Sequence, residues 1–229
     1  MAKAAAQTEV GGDGVSHNLA GQRLGRKGRD TRERIIAAAV ELIYCAPAEP
    51  LTLSAVARQA SLGLTSLYNY FADLSELLAA VLEPVMASAE EGYYGLVRTR
   101  WGDADLGERC YEFVVAYHAF WARHTRLLHL RNRLGEDGDE RMTDLRVKAT
   151  QPIIRRITEQ MGGDPRARRS TEYAMATVLM IGIERSVTIA TDRELPSLMA
   201  QDIQHDPDHF LRPSARLMEL AIKDMRAQG

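Results

Sequence analysis

Apolar residues recur at helical spacing along most of the chain, and no stretch alternates as a half-buried strand would. Ile35, Ile36, Ala39, Leu42 and Ile43 give residues 31–44 one apolar face. Ala46-Pro47-Ala48-Glu49-Pro50 stops that helix, because proline cannot continue it. Leu53, Val56, Ala57 and Ala60 mark a short helix with Thr52 as its N-cap. Ser61-Leu62-Gly63 breaks it, with Gly63 tolerating non-helical dihedrals, and Leu64, Leu67, Tyr68 and Phe71 restart the spacing. Asp73 caps a longer helix running towards Tyr94, with Pro84 inside it as a kink. After a loop at Trp101-Gly102-Asp103, the positions Leu106, Cys110, Phe113, Val114, Tyr117 and Trp121 mark a strongly periodic helix. Residues 124–134 form a shorter one, and 139–161 another, bent at Pro152. Asp164 and Pro165 suit the N-cap and first position of a helix reaching Thr191. The last helix begins near Ser214 and buries Leu217, Met218, Ala221, Ile222 and Met225. The fold read from this pattern is all-α, without an internal repeat.

The two short helices carry the most information. A turn as tight as residues 61–63 makes them cross steeply, the helix-turn-helix arrangement, in which the second helix can enter a DNA major groove. The stretch from Thr52 to Phe71, with Leu53, Val56-Ala57, Ala60, Leu62 and Leu67-Tyr68-x-Tyr70-Phe71, closely resembles the DNA-binding motif of the TetR family of bacterial transcriptional regulators. Ser61 stands where that family usually has glycine, Gly63 where it has serine, and Leu74 where lysine is common. The resemblance spans about residues 31–82. It implies base contacts at Leu64, Thr65 and Asn69, phosphate contacts at Thr52, Ser66, Tyr68 and Tyr70, and a weaker contact at Ser54.

Net charge is −2, so global charge does not argue for nucleic acid; its distribution does. Arg23, Arg26, Lys27, Arg29, Arg32 and Arg34 crowd a short segment opposed only by Asp30 and Glu33. Beside a helix-turn-helix, that cluster suits an arm whose Arg26, Lys27 and Arg29 contact phosphates. Between Arg58 and Arg98 there is no lysine or arginine, so the recognition surface itself is poorly charged.

The expected organisation is a disordered tail at 1–22, a helix-turn-helix domain with its basic arm at 23–82, and a larger helical ligand-binding and dimerisation domain at 83–229. Residues 166–191 are apolar on more than one side, and the family resemblance implies that the last two long helices pair with their mates in a homodimer. It also implies a cavity for a small molecule among the middle helices. Aromatic and methionine-rich candidates to line it are Tyr93, Trp101, Phe113, Tyr117, His118, Trp121, Met142, Met175 and Glu184, which lean towards a hydrophobic effector. Each of them also suits plain core.

Other chemistries find little purchase. Cys45 and Cys110 are isolated, as in a reduced, cytoplasmic protein. No run reaches transmembrane length, and residues 1–15 lack the apolar segment of a signal peptide. His205, Asp206, Asp208 and His209 form a compact set of metal-ligand types, but Pro207 interrupts their helical spacing. His124 and His129, among Arg123, Arg126, Arg131 and Arg133, read as a solvated basic face. With no fingerprint of a hydrolase or nucleotide-binding enzyme, no cofactor or metal is expected. The expected function is a dimeric regulator, most simply a repressor, that binds an inverted-repeat operator in double-stranded DNA and is released by its effector. The alternative is a helical dimer that binds a ligand or partner protein and reads DNA weakly.

Overall fold

The computed structural model describes residues 25–45, 50–192 and 207–228, and all its regular structure is helical. The tail at 1–22, Arg23, the stop at Ala46–Glu49, and His205 and Asp206 lie outside the described residues. The chain divides into two compact units, with the boundary between Leu77 and Leu78, inside one helix.

The first unit holds α1 (Arg26–Cys45), α2 (Leu53–Gln59), α3 (Leu64–Leu67) and the start of α4 (Leu74–Ala87). Its centre is apolar, with Ile35, Ala39 and Ile43 from α1, Val56 and Ala57 from α2, and Leu67 and Phe71 all buried. Helix α1 begins at Arg26 rather than at Thr31, so the basic segment expected as an arm is its first two turns. Arginine and lysine are good helix formers, and Arg29 N donates to Gly25 O at the start. The second short helix is also shorter than its apolar spacing suggests. Regular α geometry ends at Leu67, and residues to Phe71 continue as tight turns, with Asn69 N bonding Ser66 O and Tyr70 N bonding Leu67 O.

The second unit contains α5 (Ala89–Gly92), a 3-10 turn (Tyr94–Val97), α6 (Leu106–Arg123), α7 (Thr125–Glu136), α8 (Glu140–Gln160), α9 (Thr171–Thr191) and α10 (Asp208–Gln228). Helix α6 packs against both α9 and α10, and α8 against α7 and α9. Gly107 permits the close approach of α6 to α10, because a Cβ there would lie 2.9 Å from a Glu219 carboxylate oxygen. All six of the periodic α6 positions named above are buried.

Several boundaries differ from the sequence reading. The helix expected from Asp73 to Tyr94 breaks at Ser88, whose hydroxyl donates to Val85 O (2.7 Å), a local bond that competes with the helical ladder. Asp164 caps no helix: its carboxylate accepts from Arg166 N two residues on, forming a turn, and Ser170 caps α9 by accepting from Tyr173 N. Helix α10 starts at Asp208 and runs through Pro213. Its Leu217, expected in the core, is 61% exposed. Helix α9 is long and apolar enough by length and composition to cross a membrane, contrary to the expectation that no run is (mean hydropathy 1.3). Its buried Ala176, Met180, Ile183 and Val187 lie on a helix that packs against α6, α8 and α10.

Candidate functional site

The sequence between Thr52 and Phe71 builds an exposed edge on a buried base. Thr52 is extended and its hydroxyl oxygen accepts from Ala55 N at 3.1 Å, which starts α2 and leaves the hydroxyl proton available to an acceptor such as a phosphate. The turn out of α2 needs one left-handed residue, and that residue is Ser61 (φ 53°), not Gly63. Gly63 is extended (φ −69°), a conformation open to any residue, and a Cβ there would meet nothing closer than 4.0 Å. The left-handed position is thus the one at which the family resemblance has glycine.

Beyond the turn, Leu67 and Phe71 are anchored in the core while Leu64, Thr65, Ser66, Tyr68 and Asn69 are exposed; Tyr70 is half-buried. The outward row combines an amide, two hydroxyls, a phenol and an apolar side chain. Asparagine can bond adenine bidentately, and threonine or leucine can touch a thymine methyl. Ser54 is exposed in the first turn of α2, where free backbone N–H groups favour an anion.

Arg32 fixes how α1 meets this edge. Its guanidinium lies over the Phe71 ring, 5.0 Å from the centroid, so it serves packing as well as charge. Arg29 stands three residues earlier on the same helical face, and with Arg26 and Lys27 it is exposed. The first turn of α1 holds no acidic residue. Three cations at the positive end of a helix dipole are unfavourable for the helix and favourable for a bound anion. Leu74, half-buried at the start of α4, brings no charge. Asp73 accepts from Glu76 N at 2.7 Å and fixes that start.

In the second unit, Tyr93, Trp101, Phe113, Tyr117 and Trp121 among the expected cavity candidates form an aromatic cluster. Tyr93 meets Tyr117 edge-on at 4.9 Å and Phe120 at 5.1 Å, and Phe113 stacks on Tyr117 at 6.0 Å. Burial pushes the hydroxyl pKa of Tyr93 and Tyr117 well up, so both phenols stay neutral. Tyr93, Tyr117 and Trp121 border a void of about 10 Å³ together with Met86, Leu128 and Arg131. That is room for about one water molecule. Trp101, Phe113 and Met142 are buried; His118 and Met175 are half-buried. Trp101 is held by two bonds of its own, N to Gln160 Oε1 and Nε1 to Leu96 O, both 2.9 Å.

Glu184 belongs to a buried polar network that the sequence reading missed. Its Oε1 accepts from Arg146 Nε (3.0 Å) and from Asn132 Nδ2 (3.2 Å), while Asn132 Oδ1 accepts two bonds from Arg131. Arg131, read from sequence as part of a solvated face, is only 4% exposed. A groove of about 420 Å³ lies elsewhere on this unit, among Tyr94, Arg155, Arg156, Glu159, Arg166 and Arg168. None of these was expected in a binding site. Asp208, one of the metal-ligand types, accepts from Tyr111 Oη at 2.7 Å and pairs with Arg212. Among the described residues no cluster suited to a metal ion occurs. Cys45 is exposed and Cys110 buried, where desolvation pushes its thiol up to about 12.

Residues 35–81 match the family model for bacterial regulatory proteins of the tetR family. A tetR-family transcriptional regulator from Streptomyces coelicolor has a similar solved structure, with a TM-score of 0.57 and 20% sequence identity, covering 89% of this chain and 90% of that one. At that identity the likeness speaks for the fold. A protein of Mesorhizobium loti, provisionally assigned to the same family, matches at 18% identity over 90% of this chain and 98% of that one, with a TM-score of 0.38. No curated protein matches the chain in sequence.

Proposed function

We propose, from the premise that this chain belongs through its residues 35–81 to the tetR family of bacterial regulatory proteins, that it is a sequence-specific repressor. In this reading it binds an inverted-repeat operator as a homodimer in the cytoplasm and is released by a small molecule. The role is binding rather than catalysis. The observation that carries it is the exposed row Leu64, Thr65, Ser66, Tyr68 and Asn69 above the buried Leu67 and Phe71. Leu64, Thr65 and Asn69 read bases. Thr52, Ser54, Ser66, Tyr68 and Tyr70, with Arg26, Lys27 and Arg29, hold phosphates.

Dimerisation is supported by apolar surface left over in the second unit. Val178 (65%) and Ile181 (63%) on α9 are exposed, as are Leu217 (61%) and Leu220 (45%) on α10. Nothing stands within 4 Å of where a Cβ on Gly182 would lie, so another helix can approach α9 closely there. One recognition turn reads few base pairs, and a two-fold pair doubles them. A small molecule opening the aromatic cluster of the second unit would lower operator affinity by a coupling of typically 1–3 kcal/mol, about 5–150-fold.

The weakly charged recognition turn favours a second reading, a helical dimer with little specific DNA affinity. Gel-shift titration of a candidate operator against a scrambled duplex separates them: a ratio of affinities above about 1,000 supports the regulator, and a ratio near one supports the alternative.

A further inference from the structure

The groove of about 420 Å³ on the second unit shares no lining residue with the void beside the aromatic cluster, and its walls are basic. Local rules in the sequence build it. Helix α8 ends at Gln160 and the chain folds back at Gly162, the left-handed residue (φ 89°) of a Schellman motif. Gly162 N bonds Glu159 O and Gly163 N bonds Thr158 O, both at 3.0 Å. Turns then hold the returning chain: Ala167 N bonds Asp164 O (3.0 Å) and Ser170 N bonds Ala167 O (2.9 Å). Arg166 and Arg168 of this return line one groove with Arg155 and Arg156 from the last two turns of α8.

Two of these four guanidiniums are engaged. An Arg156 Nη bonds Glu159 Oε2 at 2.7 Å, and Arg166 Nε bonds Asp164 Oδ1 at 3.3 Å. Those of Arg155 and Arg168 have no hydrogen bond or ion pair among the described residues. Both side chains are exposed, so water solvates their charge. What the groove adds is concavity, which concentrates a positive potential where one ligand can touch several cations. The C-terminal end of a helix ordinarily opposes an anion. Here the last carbonyls of α8 are already taken, Ile157, Thr158 and Glu159 O by the turn and Gln160 O by Arg226 Nε at 2.7 Å. Tyr94, Pro152 and Pro165 supply apolar lining beside the charges.

We propose that this groove binds a small phosphate ester with a ring-bearing body, the chemistry of a nucleoside diphosphate, its phosphates held by Arg155 and Arg168. Guanidiniums bond phosphate oxygens in pairs and also stack on planar rings. The volume falls within the roughly 300–1,000 Å³ of small-molecule sites. The groove shares no residue with the aromatic cluster or the DNA-reading row, so the proposal stands or falls without them.

The probe is ADP carrying a fluorescent N-methylanthraniloyl group, titrated by anisotropy into the full chain at physiological salt. Saturable binding to wild type is expected, displaced by ADP and, at higher concentration, by inorganic pyrophosphate, but not by adenosine. Arg155→Gln with Arg168→Gln is expected to weaken it at least about tenfold, the scale of one charge-assisted bond. Arg123→Gln with Arg133→Gln removes the same charge from exposed positions outside the groove, and is expected to change affinity less than about twofold. Circular dichroism melts confirm that each variant is folded. No binding to wild type, or equal displacement by adenosine, overturns the proposal without any variant. Wild-type affinity in the folded groove variant, or equal losses in both variants, places the binding elsewhere and overturns it too. Stronger displacement by a scrambled DNA duplex than by ADP, at equal phosphate concentration, assigns the groove to nucleic-acid backbone instead.

Discussion

Replacing Arg26, Lys27 and Arg29 with glutamine is expected to move DNA affinity and fold stability in opposite directions. All three side chains are exposed in the first turn of α1, which holds no acidic residue. A cation at that end of a helix opposes its dipole by about 0.3–1 kcal/mol at low salt. Glutamine has nearly the helix propensity of arginine and lysine. Removing three charges therefore stabilises the first unit by about 1 kcal/mol, after allowing for screening among exposed groups. On DNA the sign reverses. Each phosphate contact contributes about 0.9 to the slope of log affinity against log salt, so three lost contacts flatten it by about 2.7. Between 50 and 200 mM salt the logarithm changes by about 0.6, so wild type loses about 40-fold more affinity over that range than the variant does. Fluorescence anisotropy on a labelled operator and a scrambled duplex, across that salt range, reads the slope; urea unfolding of the same preparations reads stability. The loss is expected on both duplexes alike. An unchanged slope would refute phosphate binding by α1. Reduced affinity together with reduced stability would trace the loss to folding instead.

Three further substitutions probe separate parts of the molecule. Ser61→Gly relieves a left-handed backbone worth about 1–2 kcal/mol, offset by about 0.4–1 kcal/mol of added unfolded-chain entropy; a net gain of about 0.5–1 kcal/mol in urea unfolding is expected, and a loss would show that the serine is not strained. Ile181→Glu places a charge on the 63% exposed face of α9; sedimentation velocity should show a dimer becoming a monomer of unchanged helicity, and a dimer that persists would move the interface elsewhere. Glu184→Gln removes the single carboxylate of the buried network. Allowing for the partial exposure of Arg146, it should destabilise the second unit by about 2–3 kcal/mol, whereas a change under about 0.5 kcal/mol would mean that the network does not hold the fold.

What was legible in the sequence was the part governed by periodicity and local rules. The apolar spacing of α6 named a set of residues that are all buried, and Thr52 and Asp73 cap α2 and α4 through bonds three residues long. Helix ends were harder, because exposed residues such as those at 26–30 carry no apolar spacing to mark them. Asp164-Pro165 offered a helix start by local rules, but the Asp164 carboxylate turned to Arg166 N and Ser170 took the cap. The network at Glu184 was invisible because its bonds span 38 and 52 residues and join α9 to α7 and α8. Nothing in the run of arginines on α7 distinguishes buried Arg131 from half-buried Arg126 or exposed Arg133; only the packing of α7 does. The outward placement of Leu64, Thr65, Ser66 and Asn69 was legible because the helical spacing that buries Leu67 and Phe71 leaves them exposed.

The most direct measurement is selection from a pool of random duplexes at physiological salt, followed by sequencing of what stays bound to the full chain. Enrichment of an inverted repeat, with half-sites spaced for two recognition turns on one face of the duplex, is the expected result. Absence of any enriched sequence from folded, ligand-free protein would contradict a sequence-specific regulator.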